Sequence, residues 1–227
     1  GERKVQGLAV DYALLTQGLI DLYEASLDPA WIEWAVRLSE AQLKLFYDSG
    51  KGGFFQTSPG HDKNLLARSM DDSDNVIPAA GSVAALNFLR LAQFAGRKDF
   101  REVAEKTLAR FGSQMKQQPR SLPQMLAALD FSLSKPKQII IAGAPGSPDT
   151  RKMLREVHER FIPHKILMVV GEGGSRETLM RWLPFLKGVT PIKGKATAYV
   201  CVDYACELPT SDLPTFQAIL DGKTGIP

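Results

Sequence analysis

The sequence predicts α-helical hairpins followed by a small α/β unit. Three observations predict it. A pair of helical patterns, one apolar nearly all round and one amphipathic, occurs twice in the first half of the chain. After Lys135-Pro136 the pattern changes to short β-branched runs. Glycine loops stand between those runs and the helical stretches that follow them. The domain boundary falls between them, with helical hairpins over 1–134 and the α/β unit over 135–227.

The first helix runs from Leu8 to Tyr23. Its apolar residues cover nearly the whole circumference, which predicts packing on several sides. Asp28 and Pro29 read as the N-cap and first position of a second helix, where Trp31, Trp34, Ala35, Leu38 and Leu45 form one apolar face. The stretch Val83–Ala95 repeats the first pattern, and Phe100, Val103, Ala104, Thr107, Leu108, Phe111 and Met115 repeat the second. Tyr12 onward aligns with Gly81 onward, so Trp31 falls on Phe100 and Ala35 on Ala104. A third buried helix begins near Ser121 and includes Met125, Leu126, Leu129 and Phe131. Between the repeats, residues 50–80 form a long Gly/Pro/Asp/Ser-rich connection, of the kind that is often functional. Phe54 and Phe55 read as a short strand within it. In the second part, Gln138–Ala142, Ile166–Val170 and Ala196–Val202 read as strands. Helices are expected over Asp149–Phe161, near Glu177–Leu186 and over Phe216–Leu220. Strands alternating with helices predict a mainly parallel sheet.

Composition narrows the function classes. The chain has 227 residues, of which 44% are hydrophobic and 23% charged, a balance that excludes a disordered tail or a disulfide scaffold. A net charge of +3 gives no case for nucleic-acid binding. No apolar run reaches the roughly 18–20 residues of a membrane span. Two cysteines and no signal peptide point to a reducing, cytoplasmic location. The chain opens with Gly1-Glu2-Arg3-Lys4 rather than Met, which reads as the cut end of a longer parent or an artificial start.

Several chemistries fail on spacing. Gly143-Ala144-Pro145-Gly146 lies where a nucleotide phosphate could rest, but no Gly-Lys-Ser/Thr follows and the spacing is not GxGxxG. Residues 171–174 share that context and that failing, and ordinary strand-to-helix turns explain both. His61, His158 and His164 have no ligand spacing with one another or with the cysteines, so no metal is expected. No cofactor motif is present, and Gly-x-Ser-x-Gly is absent. Cys201 and Cys206 lack the Cys-x-x-Cys spacing. Two buried structural thiols are the expected state, with a slow regulatory disulfide as the redox alternative.

Five segments together resemble a known family. They are Asp11-Tyr12-Ala13 with the stretch from Gly18 to Ala25, then Gly52-Gly53-Phe54-Phe55, then the stretch from Ser82 to Asn87. Pro123-Gln124-Met125-Leu126 with Ala128-Leu129-Asp130 follows, and last the stretch from Ala196 to Cys206. In order and spacing they resemble the C-terminal portion of the family of spermatogenesis-associated protein 20 and bacterial YyaL. That resemblance implies an upstream thioredoxin-like domain and an α/α toroid of the six-hairpin glycosidase type. The helical part would be an incomplete ring, whose apolar faces call for the missing thioredoxin-like and toroid segments or another chain.

The resemblance also selects site residues. Arg68, Asp71, Asp74, Pro78 and Ser82 match the family's Arg/Asp/Asp/Pro/Ser pattern, while Met70, Asn75, Ala79 and Gly81 depart from it. Asp71 and Asp74 are the catalytic candidates, as general acid and base at a toroid mouth. Asp11, Tyr12, Phe55, Arg68 and Ser82 are the ligand-binding candidates for a small carbohydrate. Each also has a structural reading: acidic residues as caps, Tyr12 as core and Phe55 as a packed aromatic beside a tight turn. Two functions follow, a carbohydrate-active or carbohydrate-binding toroid and a non-catalytic partner module of a thioredoxin-like domain.

Overall fold

The computed structural model describes residues 6–61, 64–171, 173–202 and 205–223. The opening Gly1-Glu2-Arg3-Lys4, and Glu172 of the second glycine loop, lie outside these. The chain divides into two units. One takes the chain to Tyr23 together with Ala30–Leu133, and the other takes Glu24–Pro29 together with the chain from Ser134.

The first unit is helical: α1 (Ala9–Ser26, whose last residues fall in the second unit), α2 (Pro29–Phe46), α3 (Ala80–Ala95), α4 (Lys98–Gln117) and α5 (Pro123–Leu133). Helix α3 is the hub. Twelve of its sixteen residues are buried, and it packs on both α4 and α5. Gly96 ends it in the left-handed conformation, φ 60°, and donates its N–H to Ala92 O, which a β-carbon would disfavour. Phe88 is fully buried, with Phe54 stacked 5.7 Å away and Phe100 edge-on at 5.0 Å.

Helix α1 differs from expectation. It buries Ala9, Ala13, Thr16, Leu19, Ile20 and Tyr23, but Leu14 and Leu15 are 39% and 46% exposed. Within this unit its neighbours cover one side only. The buried face of α2 is also not the tryptophan face. Ile32, Ala35, Val36, Ser39, Gln42 and Phe46 turn inward, while Trp34 is exposed and stacks on Trp31 at 6.3 Å. The pattern of α4 matches its sequence, with Phe100, Ala104, Thr107, Leu108, Phe111 and Met115 buried. Phe54 forms a single bridge with Tyr47 instead of a strand.

The second unit carries β1 (Lys137–Ala142), α6 (Pro148–His158), β2 (Lys165–Val170), α7 (Gly174–Trp182), β3 (Thr197–Val202), β4 (Ala205–Cys206) and α8 (Leu213–Leu220). The sheet order is β2-β1-β3-β4. Only β1 and β2 are parallel, whereas β3 runs antiparallel to both β1 and β4. This corrects the expected mainly parallel sheet. The nine residues of α7 rise only about 13 Å, and a 3-10 turn at Pro184–Gly188 follows it. The chain enters β3 beside the C-terminal end of β1, with Thr197 opposite Ala142. Ile139, Ile141, Leu167, Val169, Val200 and Phe216 belong to the core of this unit. Lys137 Nζ donates to Ile219 O and Leu220 O at the C-terminal end of α8, at 3.3 and 3.1 Å, a cation placed on orphan helix carbonyls.

Among the described residues, no helix is long and apolar enough to cross a membrane.

Removing Phe88 should separate the buried face from the open one. Phe88→Ala is expected to cost about 3–5 kcal/mol in denaturant unfolding. Leu15→Ser on the solvent side of α1 should stay within about 0.5 kcal/mol of the parent chain.

Candidate functional site

The connection between α2 and α3 carries most of the residues selected from sequence. It begins with a turn around Asp48, whose carboxylate accepts N–H bonds from Gly50 at 2.9 Å and Lys51 at 3.1 Å. The Lys51 N–H, then that of Gly50 and the charge of Arg110, hold this carboxyl below its ordinary pKa. Gly52 and Gly53 follow with φ of 80° and 85°. A β-carbon on Gly52 would sit 2.6 Å from Lys106 O, so only glycine lets this backbone approach α4. Gly53 N–H then donates to Thr107 Oγ1 at 3.3 Å, and Arg110 Nη1 donates to Gly52 O at 3.1 Å.

Beyond this turn, Phe55 is half-buried and carries the Arg68 guanidinium 4.1 Å above its ring. Arg68 also donates from Nε to Thr57 O at 2.7 Å and from Nη2 to Leu45 O at 2.9 Å. One ring face of Phe55 is thus covered by the protein's own cation. Gln56, which sequence reasoning passed over, links two strands of the loop. Its N–H donates to Ser69 O at 2.8 Å, its Oε1 accepts from Ser69 Oγ at 2.7 Å, and its Nε2 donates to Asp71 Oδ1. No pattern of spacing marks such a glutamine.

Asp74 serves two helix starts. Its Oδ1 accepts from Ala79 N at 2.9 Å, just ahead of α3. Its Oδ2 accepts from Gln124 N at 2.9 Å and Met125 N at 3.4 Å, in the first turn of α5. Asp11 lies in the first turn of α1 and its Oδ2 accepts the N–H of Leu8 at 2.7 Å, half of a capping box. Tyr12 packs its ring edge-on against Phe46 at 5.2 Å. Ser82 is fully buried in the first turn of α3, and its Oγ has no hydrogen-bond partner among the described residues.

The loop therefore brings Phe55, Arg68 and, through Gln56, Asp71 together. Asp11 and Asp74 are each engaged by backbone N–H groups, and Tyr12 and Ser82 sit in helix packing. A cavity of about 480 Å³ in this unit lies between α4 and α5, against Leu108, Met115, Leu126 and Leu129, and none of the seven candidates lines it.

In the second unit the glycine loop after β1 is filled from within. A β-carbon on Gly143 would lie 2.4 Å from Thr150 Oγ1, so the glycine permits close packing of the turn. At the start of α6, Asp149 accepts from Thr150 N at 3.0 Å and Ala196 N at 2.7 Å. Hydrogen bonds from Ser147 and then from the Ala196 N–H draw its carboxyl down to about 2. The place where a phosphate would sit thus holds the chain's own carboxylate.

Cys201 and Cys206 are joined in a disulfide, and Cys206 is exposed. The expectation of two buried thiols is corrected. Residue 201 of β3 and residue 206 of β4 are direct partners across the hairpin, a pairing that residue spacing alone does not reveal. Among the described residues, no group of three or more His, Cys, Asp or Glu is placed to hold a metal ion.

Comparison with known proteins agrees with the sequence resemblance. No family model matches the chain. It is 41% identical over 206 residues to human spermatogenesis-associated protein 20, which covers 91% of this chain and 26% of the human protein. The rat protein of that name is 40% identical over the same length. An uncharacterized protein of Caenorhabditis elegans is 24% identical over 221 residues, covering 97% of this chain and 29% of that protein. The chain spans about a quarter of the length of the curated relatives it matches.

Two variants test these assignments. Asp74→Ala should cost about 1–2 kcal/mol in denaturant unfolding, as loss of a helix cap does. For Asp149, the folded pKa of about 2 lies below the ordinary 3.8. Its stabilisation is present above about pH 4 and is lost as the pH falls toward about 2. Because the carboxyl is partly solvated, Asp149→Asn should remove only about 1 kcal/mol at neutral pH and flatten the acid limb of the unfolding profile.

Proposed function

We propose that this chain, which belongs to the spermatogenesis-associated protein 20 family over the segment it spans, works as a non-catalytic assembly module. Its helical unit receives a further helical hairpin on the open face of α1. The observation that carries this reading is a comparison of α1 with α3. In the internal repeat, Leu14, Leu15, Gly18 and Asp21 correspond to Val83, Ala84, Asn87 and Arg90.

On α3 this set includes residues that meet α1. Asn87 Nδ2 donates to Ala13 O at 2.7 Å, and Arg90 pairs with Asp21 at 2.8 Å. Val83 and Ala84 are 1% and 0% exposed, against 39% and 46% for Leu14 and Leu15. So Leu14, Leu15 and Gly18 leave open on α1 the positions that are covered on α3, while Asp21 is already engaged by Arg90. A β-carbon built on Gly18 meets nothing within 4 Å, so a partner backbone has room to approach closely. Leu66 and Val76, fully exposed in the loop of the same unit, add apolar area that a monomer rarely leaves in water.

The chain covers 26% of its mammalian relatives, and the partner hairpin belongs in the remaining length of one longer polypeptide. The α/α toroid and the thioredoxin-like domain implied by the resemblance are part of the same proposal, as is joint work with that domain in redox or protein handling. The engagement of Asp11 and Asp74 by helix N–H groups supports a structural role for those carboxylates.

The first test is the intact mass of the native product, expected well above 25.0 kDa. Leu15→Cys should then react freely with a maleimide in the present chain and be shielded in the whole polypeptide. Equal reactivity in both would refute the module.

A second reading, a carbohydrate site, is favoured by the buried hydroxyl of Ser82, which has no hydrogen-bond partner among the described residues, and by Asp71, which accepts from the Gln56 side chain. It requires Asp71→Asn to weaken sugar binding while leaving the Tm nearly unchanged. Under the module reading, calorimetry detects no sugar binding to lose.

A further inference from the structure

We propose that Cys201–Cys206 is an exchangeable disulfide, opened by an external dithiol that attacks the sulfur of Cys206. The inference stands apart from the assembly reading, because it rests on the second unit alone. The two ends of the bond differ in access: Cys201 is 6% exposed, whereas Cys206 lies in the exposed β4. An attacking thiolate reaches the sulfur that faces solvent, so Cys206 receives it.

The bond is also a weak staple. Its sequence separation is only 5, and a cross-link that closes so short a loop removes little entropy from the unfolded chain. Cys201 belongs to the buried core of the unit, but Cys206 is exposed. The segment after Cys206 is held on β3 by other means. Glu207 N donates to Val200 O at 2.9 Å, and Ala198 and Thr210 exchange N–H···O bonds of 2.8 and 3.0 Å. Asp212 then caps α8 by accepting from Thr215 N at 3.0 Å. Opening the bond therefore yields two thiols while the segment stays on the sheet. A disulfide with one end in water, little stabilising duty and independent support beside it belongs with the exchangeable class.

A thiolate of the dithiol bonds to Cys206 Sγ, and the S–S bond breaks with its electron pair going to Cys201 Sγ, which takes up a proton. The second thiol of the reductant displaces Cys206 Sγ from the mixed disulfide. The reductant leaves as a disulfide, and the protein has gained two electrons and two protons.

The test titrates the full 227-residue chain with dithiothreitol without denaturant. Samples are quenched by alkylation and the labels counted by mass. Both cysteines should be labelled with the far-UV circular dichroism unchanged and Tm lowered by less than about 5 °C. In single variants, Cys201→Ser should form a mixed disulfide with oxidised glutathione at least about tenfold faster than Cys206→Ser, since only the former leaves an exposed thiol. A bond that opens only after denaturant unfolds the chain overturns the proposal, as do equal rates in the two variants. Should a variant fail to fold, the titration of the parent chain decides alone.

Discussion

Phe88 stands at the middle of α3 with Phe54 stacked against it at 5.7 Å and Phe100 edge-on at 5.0 Å. These three rings come from the long connection, the hub helix and the start of α4. Each ring is at most 3% exposed, so the column is dry and its packing is specific. The rest of the helical unit is arranged around it. Gly52 and Gly53 bring the backbone onto α4 so that Phe54 can enter, and the stretch beyond returns to cap α3 and α5 through Asp74.

A second constraint recurs in both units. Helix starts leave N–H groups without intrahelical partners, and this chain satisfies several of them with its own carboxylates. Asp11 does so at α1, Asp74 at α3 and α5, Asp149 at α6 and Asp212 at α8. At Asp149 and Asp212 such hydrogen bonds stabilise the anion and hold the carboxyl below its ordinary pKa. That suits a cap and opposes a general acid, which must hold its proton near neutral pH. The drop of Asp149 to about 2 is the clearest case. The same physics empties the glycine loop of its promise as a phosphate site, because the positive end of α6 is already neutralised from within.

The element types were legible where one face is clearly buried. The amphipathic stripe of α4 could be read directly because its burial follows the helical period, and β1 and β2 because each is a short apolar run buried almost from end to end. The faces of α1 and α2 were not, because both helices carry apolar residues on more sides than their neighbours cover. Trp31 and Trp34 outweigh Ile32 and Val36 in bulk, yet the smaller residues are the buried ones. Strand direction was hidden as well. Alternation of strands and helices suggests parallel pairing, but β3 begins opposite the C-terminal end of β1 and runs antiparallel to it. At the candidate site, Asp71 and Arg68 could be picked out from sequence, whereas Gln56, which joins Asp71 to Ser69, could not.

The sequence by itself determined the two-part organisation, the helical repeat and the family, because these depend on local periodicity and on residue order. Tertiary structure decided what the polar groups do. Whether a carboxylate is a cap or a free acid depends on which backbone N–H groups reach it, and those of Asp74 come from residues 79, 124 and 125. Whether two cysteines are thiols or a disulfide depends on strand register, which set residue 201 against residue 206. Hydrogen bonds and covalent bonds act over a few ångströms in space, and distance along the chain carries little information about that separation.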